Sequence, residues 1–307
     1  MATHDHSHAH GHGHSHAPAT FDRAFAIGIA LNLGFVVVGV IYGLWSNSLA
    51  LLADAGHNAS DALGLVLAWG AAWAARRHPT ERFTYGYRRA SILASLLNAV
   101  TLLVAVGVIA AEAAMRLRHP APVDTGTVMA VAGIGIVVNG VTAWLFARGR
   151  KDDLNIRAAY LHMAGDALIS AGVVAAALAI RLTGWLWIDP LVSLVVAAVI
   201  VGGTWSLLRE SGRLSLDGVP AQIDAAAVGA YLRGLPGVTG THDIHIWSMS
   251  TTEVALTAHL CVPATGPHDA LLARIALDLE HHHGIGHATV QIEANAAACA
   301  LEPADRV

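Results

Sequence analysis

Six apolar runs, each about 20 residues or longer, leave this 307-residue chain little choice of fold. They lie near residues 21–44, 48–75, 90–115, 126–147, 156–182 and 190–208. In hydrocarbon, backbone polar groups must be satisfied within their own segment, so runs of this length read as membrane-crossing helices. Charged residues are 13% of the chain, about half the ~25% usual in soluble domains. The mean hydropathy is +0.53. The connections give an orientation. Arg76, Arg77, Arg82, Arg88 and Arg89 lie between the second and third runs; Arg148, Arg150, Lys151 and Arg157 lie between the fourth and fifth. The opposite loops carry no basic residue at 46–48, two at Arg116 and Arg118, and one at Arg181. By the positive-inside rule both termini are cytoplasmic, as in a multi-pass protein of the inner (cytoplasmic) membrane. Lys151 is the single lysine, so arginine carries nearly all the positive charge, and nucleic-acid binding has little to recommend it.

Inside those runs sit two histidine–aspartate pairs with the same spacing, His57/Asp61 and His162/Asp166. A four-residue step puts both side chains on one helix face, one turn apart. Ionisable groups at membrane depth are costly and face a pathway or a partner. Two such faces turned toward each other offer two imidazole nitrogens and two carboxylate oxygens, a tetrahedral set that suits zinc. Two intramembrane salt bridges are the plainer alternative, but identical spacing on separate spans favours metal. Both residue types shed protons to bind a cation, so metal entry releases protons and proton entry expels metal. Asp54, seven residues before Asp61, shares that face. It either accepts from His57 behind the metal or faces water near the helix end. A common depth for the two pairs requires the fifth helix to begin well before His162.

The N-terminus is not a signal peptide, which needs a basic segment and then an apolar one. Instead histidine alternates with small residues at His4, His6, His8, His10, His12, His14 and His16. Nothing there can pack, so the expectation is a disordered tail that collects metal loosely, native rather than an added tag. Cys261 and Cys299 make neither a disulfide scaffold nor a zinc ribbon.

After about Ser211 the composition becomes that of a soluble domain of roughly 90 residues. Residues 221–235 and 268–283 have helical periodicity; 242–248, 253–262 and 288–293 alternate like strands. The expected αββαβ order gives a small α+β sandwich of ferredoxin-like type, with both helices on one sheet face. The expected divisions are a tail at 1–20, a six-helix membrane bundle at 21–211, a cytosolic α+β domain at 212–298 and a C-terminal tail at 299–307. A domain this size on a membrane bundle suggests pairing, so a homodimer is expected.

Four stretches resemble the cation diffusion facilitator family, close to its bacterial zinc-efflux branch: SLALLADAGHNASDALGLVLA, ERFTYGYRRASILASLLNA, NIRAAYLHMAGDALISAGVVAAA and THDIHIWSMSTTEVALTAHL. The resemblance covers most of the chain and implies a homodimeric metal/proton antiporter. Carried over, the transport site falls on His57, Asp61, His162 and Asp166. Histidine rather than aspartate at position 57 favours zinc. The resemblance also implies metal in the cytosolic domain, at His242, His259, His268 and Glu293. Gln291 stands where relatives carry histidine, which argues against a full two-metal site there. A further family site, in the loop between the second and third spans, finds only His78 and is expected to be absent.

An intramembrane metalloenzyme is disfavoured, because no HExxH occurs and a closed four-ligand site leaves no position for water. An ATP-driven pump lacks its glycine-rich phosphate loop. A membrane zinc sensor without flux is the remaining rival to zinc efflux by proton exchange.

Overall fold

The computed structural model describes residues 22–147, 154–263 and 267–294. The histidine-rich segment from His4 to His16, the basic residues Arg148, Arg150 and Lys151, and Cys299 lie outside the described residues. Six long helices come first: α1 (Asp22–Trp45), α2 (Leu49–Ala75), α3 (Ala90–Arg118), α4 (Thr125–Phe146), α5 (Leu154–Thr183) and α6 (Ile188–Ser215). Among the described residues, α3, α4, α5 and α6 are long and apolar enough to cross a membrane. Their outward valines and leucines, such as Val104, Val108, Val137 and Leu182, are exposed, as a lipid-facing surface requires.

Helix α2 is fixed at its N-terminal end by a buried carboxylate from α6. Asp189 Oδ1 accepts from Ser48 Oγ at 2.5 Å and Ala50 N at 3.4 Å, and Oδ2 accepts from Leu49 N at 2.9 Å. The first N–H groups of a helix have no intrahelical acceptor and carry the positive end of its dipole, so an anion belongs there. Ser48 Oγ in turn accepts from Leu51 N, the usual N-cap bond. The turn before it places Asn47 at φ +57°, a left-handed conformation that asparagine tolerates. Arg116 of α3 locks that turn by donating to Asn47 O at 2.8 Å.

Close helix approach rests on small residues. A Cβ at Gly39 of α1 would stand 2.9 Å from the Cβ of Ala55, and one at Gly135 of α4 would stand 2.6 Å from Phe35 Cζ. Around Phe35, the packed core of Ala50, Leu51, Val128, Val131 and Val173 seals the α2 N-terminal half of the bundle.

The tail domain adds α7 (Ala225–Arg233), β1 (Gly240–Ser248), β2 (Val254–Cys261), α8 (Asp269–His283) and β3 (His287–Glu293). Its mixed sheet has the order β1-β2-β3, antiparallel then parallel. Helix α7 starts later than residue 221 because Asp224 caps it, accepting from Ala226 N and Ala227 N. Both helices share one core with Val254, Leu256, Ala258 and Leu260, the alternate residues of β2. The other set, Thr257, His259 and Cys261 among them, faces away from the helices. Tyr231 donates to Asp278 at 2.8 Å and ties α7 to α8. Burial, with the Asp278 carboxylate adding to it, pushes the Tyr231 hydroxyl up to about 12.

The tail domain docks on the start of α3. Arg88 pairs with Glu253, Arg89 pairs with Asp217, and Ser91 Oγ accepts from Thr251 N at 3.1 Å. Removal of the α2 anchor is the test of this architecture. Asp189→Ala is expected to cost about 2–4 kcal/mol, from a lost cap and lost charge-assisted bonds. Thermal unfolding in detergent measures it, and an unchanged midpoint would contradict the anchor.

Candidate metal centres

Helices α2 and α5 run in opposite directions, and each histidine lies eight residues into its helix, counted from Leu49 and from Leu154. Antiparallel packing therefore levels His57 with Asp166 and Asp61 with His162. The distances follow that pattern. His57 Nε2 lies 3.2 Å from Asp166 Oδ1, and His162 Nε2 lies 3.2 Å from Asp61 Oδ2. Within each helix the separations are longer, 3.8 Å for His57–Asp61 and 3.6 Å for His162–Asp166. All four ligand atoms fall within 4.8 Å of one another. A zinc ion held at about 2.0–2.1 Å by four ligands sets them about 3.3 Å apart, close to these values. The imidazoles meet edge to face, with ring centroids 5.8 Å apart, so both Nε2 atoms point into one space.

Exposure rises in one direction through this cluster. Asp166 is 2% exposed and His57 18%, on the level nearer Ser48; Asp61 is 27% and His162 42%, on the level nearer the tail domain. The Phe35 core closes the first side. Beyond His57 the ladder gains a third rung, where Ser170 Oγ of α5 donates to Asp54 Oδ2 at 3.0 Å. Asp54 is wholly buried, so the water-facing alternative fails. Its recorded donor is Ser170 and not His57, whose Nδ1 has no hydrogen-bond partner. The physical reason is the helix turn: three residues before His57, Asp54 reaches across to α5 instead of back along its own helix.

A second convergence lies on the helix-free face of the tail sheet. Strand register sets His242 opposite His259 and Cys261 opposite Glu293. Ligand atoms of His242, His259 and Glu293 come within 4.8 Å of one another. Glu293 joins them, with Oε2 3.4 Å from His242 Nε2 and Oε1 2.9 Å from His259 Nδ1. His242 Nε2 is buried without a hydrogen-bond partner, which fits a cation ligand. Gln291 does not join as a ligand; it donates to Glu293 Oε1 at 2.9 Å. His268, expected in this set, is not among the convergent residues; it stands at the start of α8 as its N-cap residue. Two acidic residues escaped the sequence reading. Asp189 was visible as a charge heading an apolar run, and Asp243 as the acid inside the run His242-Asp243-Ile244-His245.

Fold and sites define a multi-pass membrane protein with a cytoplasmic domain and a His/Asp cluster between its membrane helices. Residues 25–214 match the cation efflux transmembrane domain, and residues 220–295 match the cytoplasmic domain of cation efflux proteins. The zinc transporter ZitB of Escherichia coli (strain K12) is 40% identical over 273 residues, 88% of this chain and 87% of that protein. The metal cation efflux system protein CzcD of Cupriavidus metallidurans is 34% identical over 277 residues, 90% of this chain and 88% of that protein. A cadmium, cobalt and zinc/H(+)-K(+) antiporter of Bacillus subtilis is 35% identical over 279 residues, 89% of each. The chain belongs to the cation efflux family, the cation diffusion facilitators, and stands with its bacterial zinc-efflux branch.

Each carboxylate of the α2/α5 cluster contacts both imidazoles. Asp61→Ala or Asp166→Ala is therefore expected to weaken zinc binding by more than the about 10- to 100-fold typical of losing an outer partner. Chelator competition on purified protein measures this, and unchanged affinity would show that the ion sits elsewhere.

Proposed function

We propose that this chain exports zinc from the cytoplasm across the inner membrane in exchange for protons. Six helices, α1 to α6, serve as spans, with both termini in the cytoplasm. The observation that carries the reading is the crosswise His57–Asp166 and His162–Asp61 pairing at tetrahedral spacing. His57, Asp61, His162 and Asp166 are the transport site. Zinc as cargo is supported by the donor set and by the name of the E. coli relative. Proton exchange is supported by the name of the B. subtilis relative and by the chemistry of the ligands.

The cycle follows from competition for the same lone pairs. In this conformation the exposure gradient opens the site toward the tail domain, the cytoplasmic side, while the Phe35 core blocks the other side. Zinc entering from the cytoplasm displaces protons from the imidazoles and carboxylates. A rearrangement that loosens the Phe35 core and closes the His162 level exposes the ion outside. There protons retake the ligands and the ion leaves. Nothing in this cycle makes or breaks a covalent bond in a substrate, so the protein acts as a transporter and not an enzyme.

The remaining parts have supporting roles. The bundle corresponds to residues 21–211 and the cytosolic domain, a ferredoxin-like αββαβ sandwich, to 212–298. That domain pairs two chains into a homodimer and holds regulatory zinc at His242, His259 and Glu293. The seven histidines from His4 to His16 collect zinc loosely.

The deciding experiment is zinc flux into proteoliposomes with an inside-acid gradient imposed or collapsed. Expected are gradient-dependent uptake in the wild type and loss of uptake in Asp166→Ala, with dimers intact. Tight binding without flux under either condition would replace the transporter reading with a zinc sensor.

A further inference from the structure

Asp243 is the one acid of the tail sheet in a left-handed backbone conformation, with φ +51°. It occupies a bulge in β1. His242 pairs with His259 and His245 with Thr257, so three steps along β1 match two along β2. The extra residue has a clear consequence. In an unbroken strand His242, Ile244 and Ile246 would share one face. Ile244 and Ile246 belong to the helix-facing core. The bulge turns His242 to the opposite face beside His259 and His245. Aspartate is among the few non-glycine types that accept such a backbone.

The side chain at the bulge completes a relay. Asp243 Oδ1 lies 2.8 Å from His245 Nε2, and Oδ2 lies 3.4 Å from His259 Nε2. The other nitrogen of His259, Nδ1, lies 2.9 Å from Glu293 Oε1, beside His242. The His259 ring is therefore held between two carboxylates, one at each nitrogen. A neutral imidazole carries one proton and one lone pair, so it donates to only one of them. Glu293 and His242 are the groups that converge with His259 as cation ligands; Asp243 lies across the ring from them. Ligating histidines in general give their other N–H to a carboxylate, a backbone carbonyl or water, which fixes the tautomer and raises ligand basicity.

We propose that Asp243 is a positioning residue of the cytosolic metal site: it accepts from the Nε2–H of His259 and so aims the Nδ1 lone pair at a divalent cation shared with His242 and Glu293. The proposal rests on the reading of that trio as a zinc site. It makes the bulge, with its strained backbone, part of the metal centre, and it assembles the site within one protomer without His268 or Gln291.

The test uses the full chain carrying Asp61→Ala and Asp166→Ala to disable the transport site. Zinc retention against a chelator is compared with and without His259→Ala; the difference is the cytosolic site. Asp243→Asn keeps the side-chain volume and tolerates the left-handed backbone while removing the charge. Asp243→Gly keeps the bulge and removes the acceptor altogether. Both are expected to weaken the cytosolic increment by about 10- to 100-fold, glycine the more, with the unfolding midpoint of the metal-free protein unchanged. If glycine loosens the strand, the asparagine variant decides alone. Affinity within about twofold of the parent in Asp243→Asn would overturn the relay. Equal zinc retention with and without His259→Ala would overturn the cytosolic site itself, and the relay with it.

Discussion

An ionisable group at membrane depth needs a partner or an ion, and every feature of the α2/α5 interface answers that need. The two helices carry their polar residues at the same four-residue step and run in opposite directions. Rungs then form across the interface, at Asp54–Ser170, His57–Asp166 and Asp61–His162. The last two rungs bring four ligand atoms together at the spacing of a zinc tetrahedron. Without a cation, the same imidazoles and carboxylates stand at ion-pair distance across the interface. Under the proposed function, exchange between a metal-bound and a protonated state of these ligands couples metal to protons.

Such a site is useful only if its helices hold still at one end and give access at the other. The far end of α2 is pinned by Asp189, which supplies both an N-cap and a counter-charge from a helix some 140 residues away in sequence. Buried side chains pack closely around Phe35 above the cluster, an approach that Gly135 permits. Toward the tail domain the exposure of Asp61 and His162 opens the site. The ion pairs of Arg88 with Glu253 and Arg89 with Asp217 fasten the tail domain to the start of α3. The tail domain and the membrane helices thus meet through a short, charged contact.

Helix periodicity is why the α2/α5 cluster was legible: His57, Asp61, His162 and Asp166 are marked by spacing within single helices, and the structure brings their ligand atoms within 4.8 Å of one another. Strand alternation likewise revealed β1, β2 and β3 to within two residues. What escaped depends on contacts between distant segments. Nothing near Asp189 announces that it caps a helix beginning at Leu49. Asp54 has two plausible partners until the rotation of α2 against α5 is known. Asp243 matters because one bulge turns His242 to the polar face, and an uninterrupted period-two reading of the strand hides that. His268 was assigned through resemblance alone, and in one protomer the fold keeps it out of the His242–His259–Glu293 group.

The central claim is a single ion between two antiparallel helices, held by two imidazoles and two carboxylates. X-ray absorption at the zinc edge tests it most directly, on protein lacking residues 1–17 and carrying His259→Ala so that other sites are silent. The account predicts four nitrogen or oxygen neighbours at about 2.0–2.1 Å, with the multiple-scattering signature of two imidazoles, falling to one in His162→Ala. A six-coordinate, water-rich shell, or a signature that His162→Ala leaves unchanged, would contradict it.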